Sequence, residues 1–205
     1  MTEKGKIKFN CEWVYAEPLS IDKLIEINLW RDKLYELGLI GVYESGPNKG
    51  VGYGNVSIRS YPPEHFIITA SDTGRMPHLT PEYYTEVVKY DFDMNHVKYQ
   101  GPDKGIRASS ESMSHAAVFE SDPTINAVVH VHNLDLWNRL IGKVPTTSRQ
   151  VEYGTPGMAY EIKRLFEETD VKTSKFFAMG GHEEGLISFG RDMEEAGTVL
   201  LKHLE

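Results

Sequence analysis

Apolar positions along the chain recur with two different periods, and the alternation between them predicts the architecture. Leu24, Ile25, Ile27, Leu34 and Leu37 form an approximately helical stripe, with Ser20 placed as its cap, Asp22 in its first turn and Gly38 to close it. Val56 and Ile58 then alternate with Ser57 and Arg59, the two-residue period of a strand. Phe66-Ile67-Ile68-Thr69, after the Tyr61-Pro62-Pro63 turn, predicts a second strand. Residues 87–92 and 97–99 predict a hairpin that turns near Met94-Asn95. Ser109 and Ser110 can cap a helix over residues 111–119, which Asp122-Pro123 breaks. Residues 127–131 are rich in β-branched side chains and bounded by turn residues, the signature of a buried strand. Helices are expected over 134–141, 157–168 and 192–204, the last capped by Asp192. Strands are expected over 176–178 and 186–189, on either side of the turn Gly180-Gly181-His182. Interleaved strands and helices with hairpins among them predict an α/β fold, a mixed sheet covered by helices on both faces.

Residues 1–17 mix charged and aromatic side chains without a clear period and are expected to form a leader arm. No repeat, low-complexity tract or linker divides the remainder, so residues 1–205 are expected to form one domain.

Composition narrows the function. The formal net charge of −8 argues against a nucleic-acid or anionic-membrane surface. No apolar run approaches the ~20 residues of a membrane helix, and the N-terminus lacks the apolar stretch of a secretory signal, so a cytoplasmic location is expected. Cys11 is the single cysteine, which excludes an internal disulfide and a multi-cysteine zinc site. Any transition metal must therefore rest on the 8 histidines.

Two of those histidines sit on the predicted buried strand. Side chains alternate faces and rise ~3.3 Å per residue, so His130 and His132 project from one face ~6.6 Å apart. Two imidazoles at that spacing can converge on one ion; the alternative is a pair of hydrogen-bonded core histidines. His182, presented by a glycine turn, is a third candidate, and three protein ligands with one open position is a common catalytic zinc arrangement. Glu111 is the candidate base, although a carboxylate in the first turn of a helix is also what the helix dipole favours. His115, one turn further along, reads as packing or support for the site.

Other readings fit less well. Gly50-Val51-Gly52-Tyr53-Gly54 lacks the third glycine of a dinucleotide loop, and its strand follows instead of preceding it. The metallo-β-lactamase pattern needs an aspartate and a histidine where this chain has Leu134-Asp135-Leu136. No Gly-x-Ser-x-Gly elbow is present.

Taken together, Gly54-Asn55-Val56-Ser57, Thr73-Gly74, Ala108-Ser109-Ser110-Glu111, His130-Val131-His132 and His182 resemble the class II aldolase/adducin superfamily, and in particular fuculose-phosphate-aldolase-like members. Tyr153-Gly154-Thr155-Pro156-Gly157 and residues 190–196 resemble its closing segments. The resemblance implies αβα layers around a largely antiparallel sheet, commonly in a homotetramer. It implies a divalent metal, zinc above all, on His130, His132 and His182, with Glu111 as catalytic acid/base. Asn55, Ser57, Thr73, Gly74, Ser109 and Ser110 match the segments that cradle phosphate. The implied activity is that of a lyase: aldolase-type cleavage of a small phosphorylated hydroxy-carbonyl compound through a metal-stabilised enediolate.

Three departures accompany the resemblance. Glu183 follows His182 where the family often has glycine, and Glu184 would share the face of His182 if the segment is extended. No tyrosine follows Tyr160, although the aldolases use one as proton donor to the departing aldehyde. Arg149 lies near where one such tyrosine is expected and is a candidate anion contact. These departures keep open a sugar-phosphate dehydratase such as methylthioribulose-1-phosphate dehydratase, with the same ligands and glutamate. An adducin-like interaction domain is the non-enzymatic alternative.

Overall fold

The structure is a computed structural model that describes residues 6–204. In chain order the elements are β1 (Asn10–Tyr15), α1 (Ile25–Glu36), β2 (Gly41–Val42), β3 (Gly52–Tyr53), β4 (Asn55–Arg59), β5 (Phe66–Thr69), β6 (Tyr84–Asp91) and β7 (His96–Gly101). They continue with α2 (Ser112–Ser121), β8 (Ala127–His132), α3 (Leu134–Leu140), α4 (Pro156–Glu168), α5 (Val171–Ser174), β9 (Phe176–Ala178), β10 (Gly185–Gly190) and α6 (Met193–Leu201).

Eight strands form one sheet in the order β1-β7-β6-β5-β4-β8-β10-β9, and β2 pairs with β3 as a separate ribbon. Every neighbour in the large sheet is antiparallel except β1 and β7, so the sheet is mixed but largely antiparallel, as expected. Alternation along β8 separates two cores. Val128 faces the side chains of α2 and α4, while Ala127, Val129 and Val131 face those of α1, α3 and α6. The result is three layers, helices over both faces of the sheet.

Local chemistry fixes the element ends. Asn133 Oδ1 accepts from the Leu136 amide at 2.8 Å to start α3, and Asp192 Oδ1 accepts from the Glu195 amide at 2.7 Å to start α6. Thr155 and Pro156 open α4, with the threonine hydroxyl accepting from the Met158 amide. Helix α1 ends at Gly38, whose φ of 69° lets the Leu39 amide reach back to the Leu34 carbonyl.

The leader-arm expectation is corrected by β1. Residues 10–15 are a strand, paired parallel with β7 from Asn10↔His96 to Tyr15↔Gly101. As an edge strand with its side chains half-buried or exposed, β1 carries no apolar alternation, and its partner lies some eighty positions along the chain. The first five residues of the expected arm lie outside the described residues. Ser20 does precede the helical region, but a short 3-10 turn intervenes before α1 and its side chain makes no capping bond.

Helix α6 closes on α1 at one tight contact. A Cβ at Gly197 would lie 2.1 Å from the Trp30 ring. Gly197→Ala should therefore lower the melting temperature by several degrees, because overpacking costs about 1–3 kcal/mol and exceeds the alanine gain in helix propensity. An unchanged or raised melting temperature in calorimetry would show that Trp30 moves aside freely.

Candidate metal centre

β8 sets the site because it lies between β4 and β10, with His130 opposite Asn55 on one side and Ile187 on the other. His130 and His132 project from the same face, towards the start of α2. His182 reaches them from the turn between β9 and β10. That turn packs tightly: a Cβ on Gly180 would lie 2.1 Å from the Thr147 carbonyl oxygen, and one on Gly181 1.7 Å from that of Val151. Glycine is required at both positions to bring His182 in.

All three imidazoles are buried, and their Nε2 atoms converge, with His130–His132 and His132–His182 separations of 3.1 Å each. Nδ1 of His130 faces the Leu186 carbonyl oxygen at 3.2 Å and donates to it, so its Nε2 carries a lone pair directed at the other two rings. Burial, with His132 and His115 adding to it, pushes the His130 pKa well below the usual histidine value, so the ring is neutral. Two nitrogens each ~2.0–2.1 Å from one tetrahedral ion would be about 3.3 Å apart, and the observed spacing fits a zinc-sized divalent cation. His130, His132 and His182 can hold a metal ion.

Glu111 stands beside this cluster. It occupies the cap position of α2, and its side chain makes no capping bond. Its Oε2 accepts from the Ser114 hydroxyl at 2.6 Å, while Oε1 is buried without a hydrogen-bond partner, 3.8 Å from His182 Nε2. Burial raises its pKa to about 7, opposed by the Ser114 bond and the charge of Lys8. Tyr153 lies against His182 with ring centroids 4.3 Å apart, and Lys8 Nζ sits 3.7 Å from the Tyr153 ring centroid.

The cluster forms the floor of a cavity of about 290 Å³. Asn55, Gly74, Ser109, Ser110 and Glu111 line it together with the three histidines. Ser57 and Thr73 do not. The Ser57 hydroxyl pairs with His115 Nδ1 at 2.6 Å inside the core, and the Thr73 hydroxyl donates to the Ala70 carbonyl at 2.8 Å. Both follow from strand and turn geometry: Ser57 points to the face opposite Val56, away from the strand end where the cavity opens. His115 is buried beneath the site, as its helix position suggested, and burial lowers its pKa to about 3. Arg149 lies over the Trp137 ring and is not among the residues lining the cavity.

Several cavity residues had no signal in the sequence. Tyr43 follows β2 and Tyr53 ends β3, and both rings pack around His132. Asp72 accepts from the Gly52 amide at 3.0 Å and pairs with Arg75, which also donates to the Gly50 carbonyl at 3.0 Å. Glu184 is not extended; its φ of 74° carries the carboxylate towards Tyr43 and His132 instead of along His182.

The fold recurs in solved structures. L-fuculose-1-phosphate aldolase from Thermus thermophilus superposes with a TM-score of 0.62 at 19% identity, covering 90% of each chain. The sugar-phosphate aldolase from Thermotoga maritima gives 0.63 at 16% identity, covering 90% of this chain and 91% of that one. An aldolase II superfamily protein from Pseudomonas syringae gives 0.59 at 18%, covering 91% and 76%. At these identities the likeness defines the class II aldolase fold. Residues 42–202 match the family described as Class II Aldolase and Adducin N-terminal domain, and the chain belongs to it.

The Glu111 environment has a measurable consequence in metal-free protein. A carboxyl whose pKa rises on folding binds its proton more tightly in the folded state, so its contribution to stability falls as pH rises from about 4.5 to about 7 and stays low above that. Glu111→Gln should remove this fall and raise the stability of the metal-free protein above neutral pH, by on the order of 2 kcal/mol. Denaturant titrations that give parallel pH profiles for the two proteins would contradict the buried-carboxyl assignment.

Proposed function

We propose that the protein is a metal-dependent lyase acting on a small phosphorylated hydroxy-carbonyl compound, with Glu111 as its acid/base. One observation carries the reading: a buried carboxylate oxygen without a hydrogen-bond partner stands 3.8 Å from a ligand nitrogen of a three-histidine cluster. A divalent ion on His130, His132 and His182, most simply zinc, supplies Lewis-acid polarisation of a substrate carbonyl. Glu111 moves the proton, and a pKa near neutrality suits a group that must both take and return it. Asn55, Gly74, Ser109 and Ser110 line the part of the cavity where amide and hydroxyl donors can receive a phosphate. Burial of the cluster keeps bulk water from the reacting carbons. Fuculose-phosphate aldolases among the fold relatives support this substrate class.

Dehydration of a sugar phosphate is the second reading. The hydroxyl of Tyr53 donates to the Gly38 carbonyl and that of Tyr43 to Glu184, so neither is presented to a departing aldehyde. Elimination of water needs no separate tyrosine, because Glu111 can return the proton it takes to the leaving hydroxide. Product analysis separates the two: an aldolase yields two carbonyl fragments, a dehydratase one product lighter by one water. The reading extends to a homotetramer in the cytoplasm; Ile21, Ile25 and Leu29 expose an apolar stripe on one helical face that a subunit contact would cover. Among the described residues no helix is long and apolar enough to cross a membrane.

The purified protein should carry about one divalent metal per chain by elemental analysis, and His130→Ala should lose it. Glu111→Gln should retain the metal while turnover falls about 10²–10⁴-fold. Absence of metal after reconstitution would leave an adducin-like binding domain, and full turnover by Glu111→Gln would remove Glu111 from the chemistry.

A further inference from the structure

Glu184 occupies a backbone position that L side chains rarely adopt, with φ 74°. Its carbonyl accepts from the Asn133 amide at 3.1 Å, a bond that glycine could provide without the unfavourable conformation. The reason for a glutamate must lie in its side chain, which is only 17% exposed. The carboxylate accepts from the Tyr43 hydroxyl, and Oε2 stands 3.4 Å from His132 Nδ1. The Tyr43 hydroxyl oxygen is itself 2.8 Å from His132 Nδ1. The Tyr53 ring stacks on His132 at 5.4 Å between centroids and 23° between planes, which holds the imidazole plane.

Proton counting orders these contacts. The Tyr43 hydroxyl donates to Glu184, which commits its single proton there. The tyrosine oxygen then faces His132 with a lone pair, and Nδ1 must be the nitrogen that carries hydrogen. That leaves Nε2 unprotonated and turned towards His130 and His182. Resting on the metal-dependent reading above, we infer that Tyr43 and Glu184 are positioning residues that lock His132 as the Nδ1–H tautomer and raise its strength as a metal ligand. His130 has the same tautomer fixed by a neutral carbonyl, that of Leu186. The two histidines of one strand therefore have different partners behind them, one neutral and one anionic, and His132 is the stronger donor of the pair.

The test is Co²⁺ binding to metal-free wild type, Tyr43→Phe, Glu184→Gly and Glu184→Gln, followed by chelator competition, visible absorption and thermal melting. Tyr43→Phe and Glu184→Gly are expected to bind Co²⁺ about 10–100-fold more weakly, with displaced absorption bands. Metal-free Glu184→Gly should melt no lower than wild type, since glycine accepts the positive φ. Glu184→Gln still accepts from Tyr43 but carries no charge, and is expected to bind Co²⁺ with an affinity between those of wild type and Glu184→Gly. If wild type binds one Co²⁺ and both Tyr43→Phe and Glu184→Gly match it in affinity and spectrum, the positioning role is overturned while the metal centre stands. Wild type that takes up no Co²⁺ overturns this inference and the lyase reading together.

Discussion

Burial, with His132 close by, keeps the His130 imidazole neutral, and that single restriction shapes the surroundings. A proton on its Nε2 would bring a cation into a buried cluster, 3.1 Å from the Nε2 of His132, which itself lies 3.1 Å from that of His182. Neutral rings must each place one N–H on a partner and leave one lone pair. For His130 that partner is the backbone of the neighbouring strand; for His132 it is a tyrosine backed by a carboxylate. The strand itself supplies the spacing, because β4 and β10 hold β8 on both sides and leave it no freedom to shift register.

The same burial that keeps His130 neutral acts in the opposite sense on Glu111. Desolvation raises a carboxyl and lowers an imidazole, so one buried setting gives Glu111 a pKa of about 7 and leaves His130 an unprotonated nitrogen at once. Separate charges do not have to be installed for each role. The local cost is an unpartnered carboxylate oxygen, tolerated because β8 and α2 are anchored by large apolar cores on the two faces of the sheet.

Most of this was legible in residue order. The β-branched run before Asn133, the cap at Asp192 and the period of residues 56–59 name their own elements, since each depends on neighbours a few positions away. The His-x-His spacing converts directly into geometry through the alternation of a strand. Ser57 was harder, because it shares the face of Asn55 but lies two residues further along β4, opposite Val128 instead of His130, where it meets His115 in the core. Tyr43 and Tyr53 drew no role from the sequence, and Glu184 was noted only as a charge beside His182. Their roles come from a loop ribbon folding over a strand far along the chain, and a positive φ at a glutamate has no sequence signature.

The parallel edge strand β1 bears on how the molecule is assembled in time. Its partner β7 is the second strand of the β6–β7 hairpin, a local unit that can form by itself, whereas β1 must wait for that hairpin across some eighty intervening residues. Synthesis runs the other way. Because β1 precedes the hairpin in the chain, it has no place to dock until the hairpin has emerged, and it is made well before it is fixed.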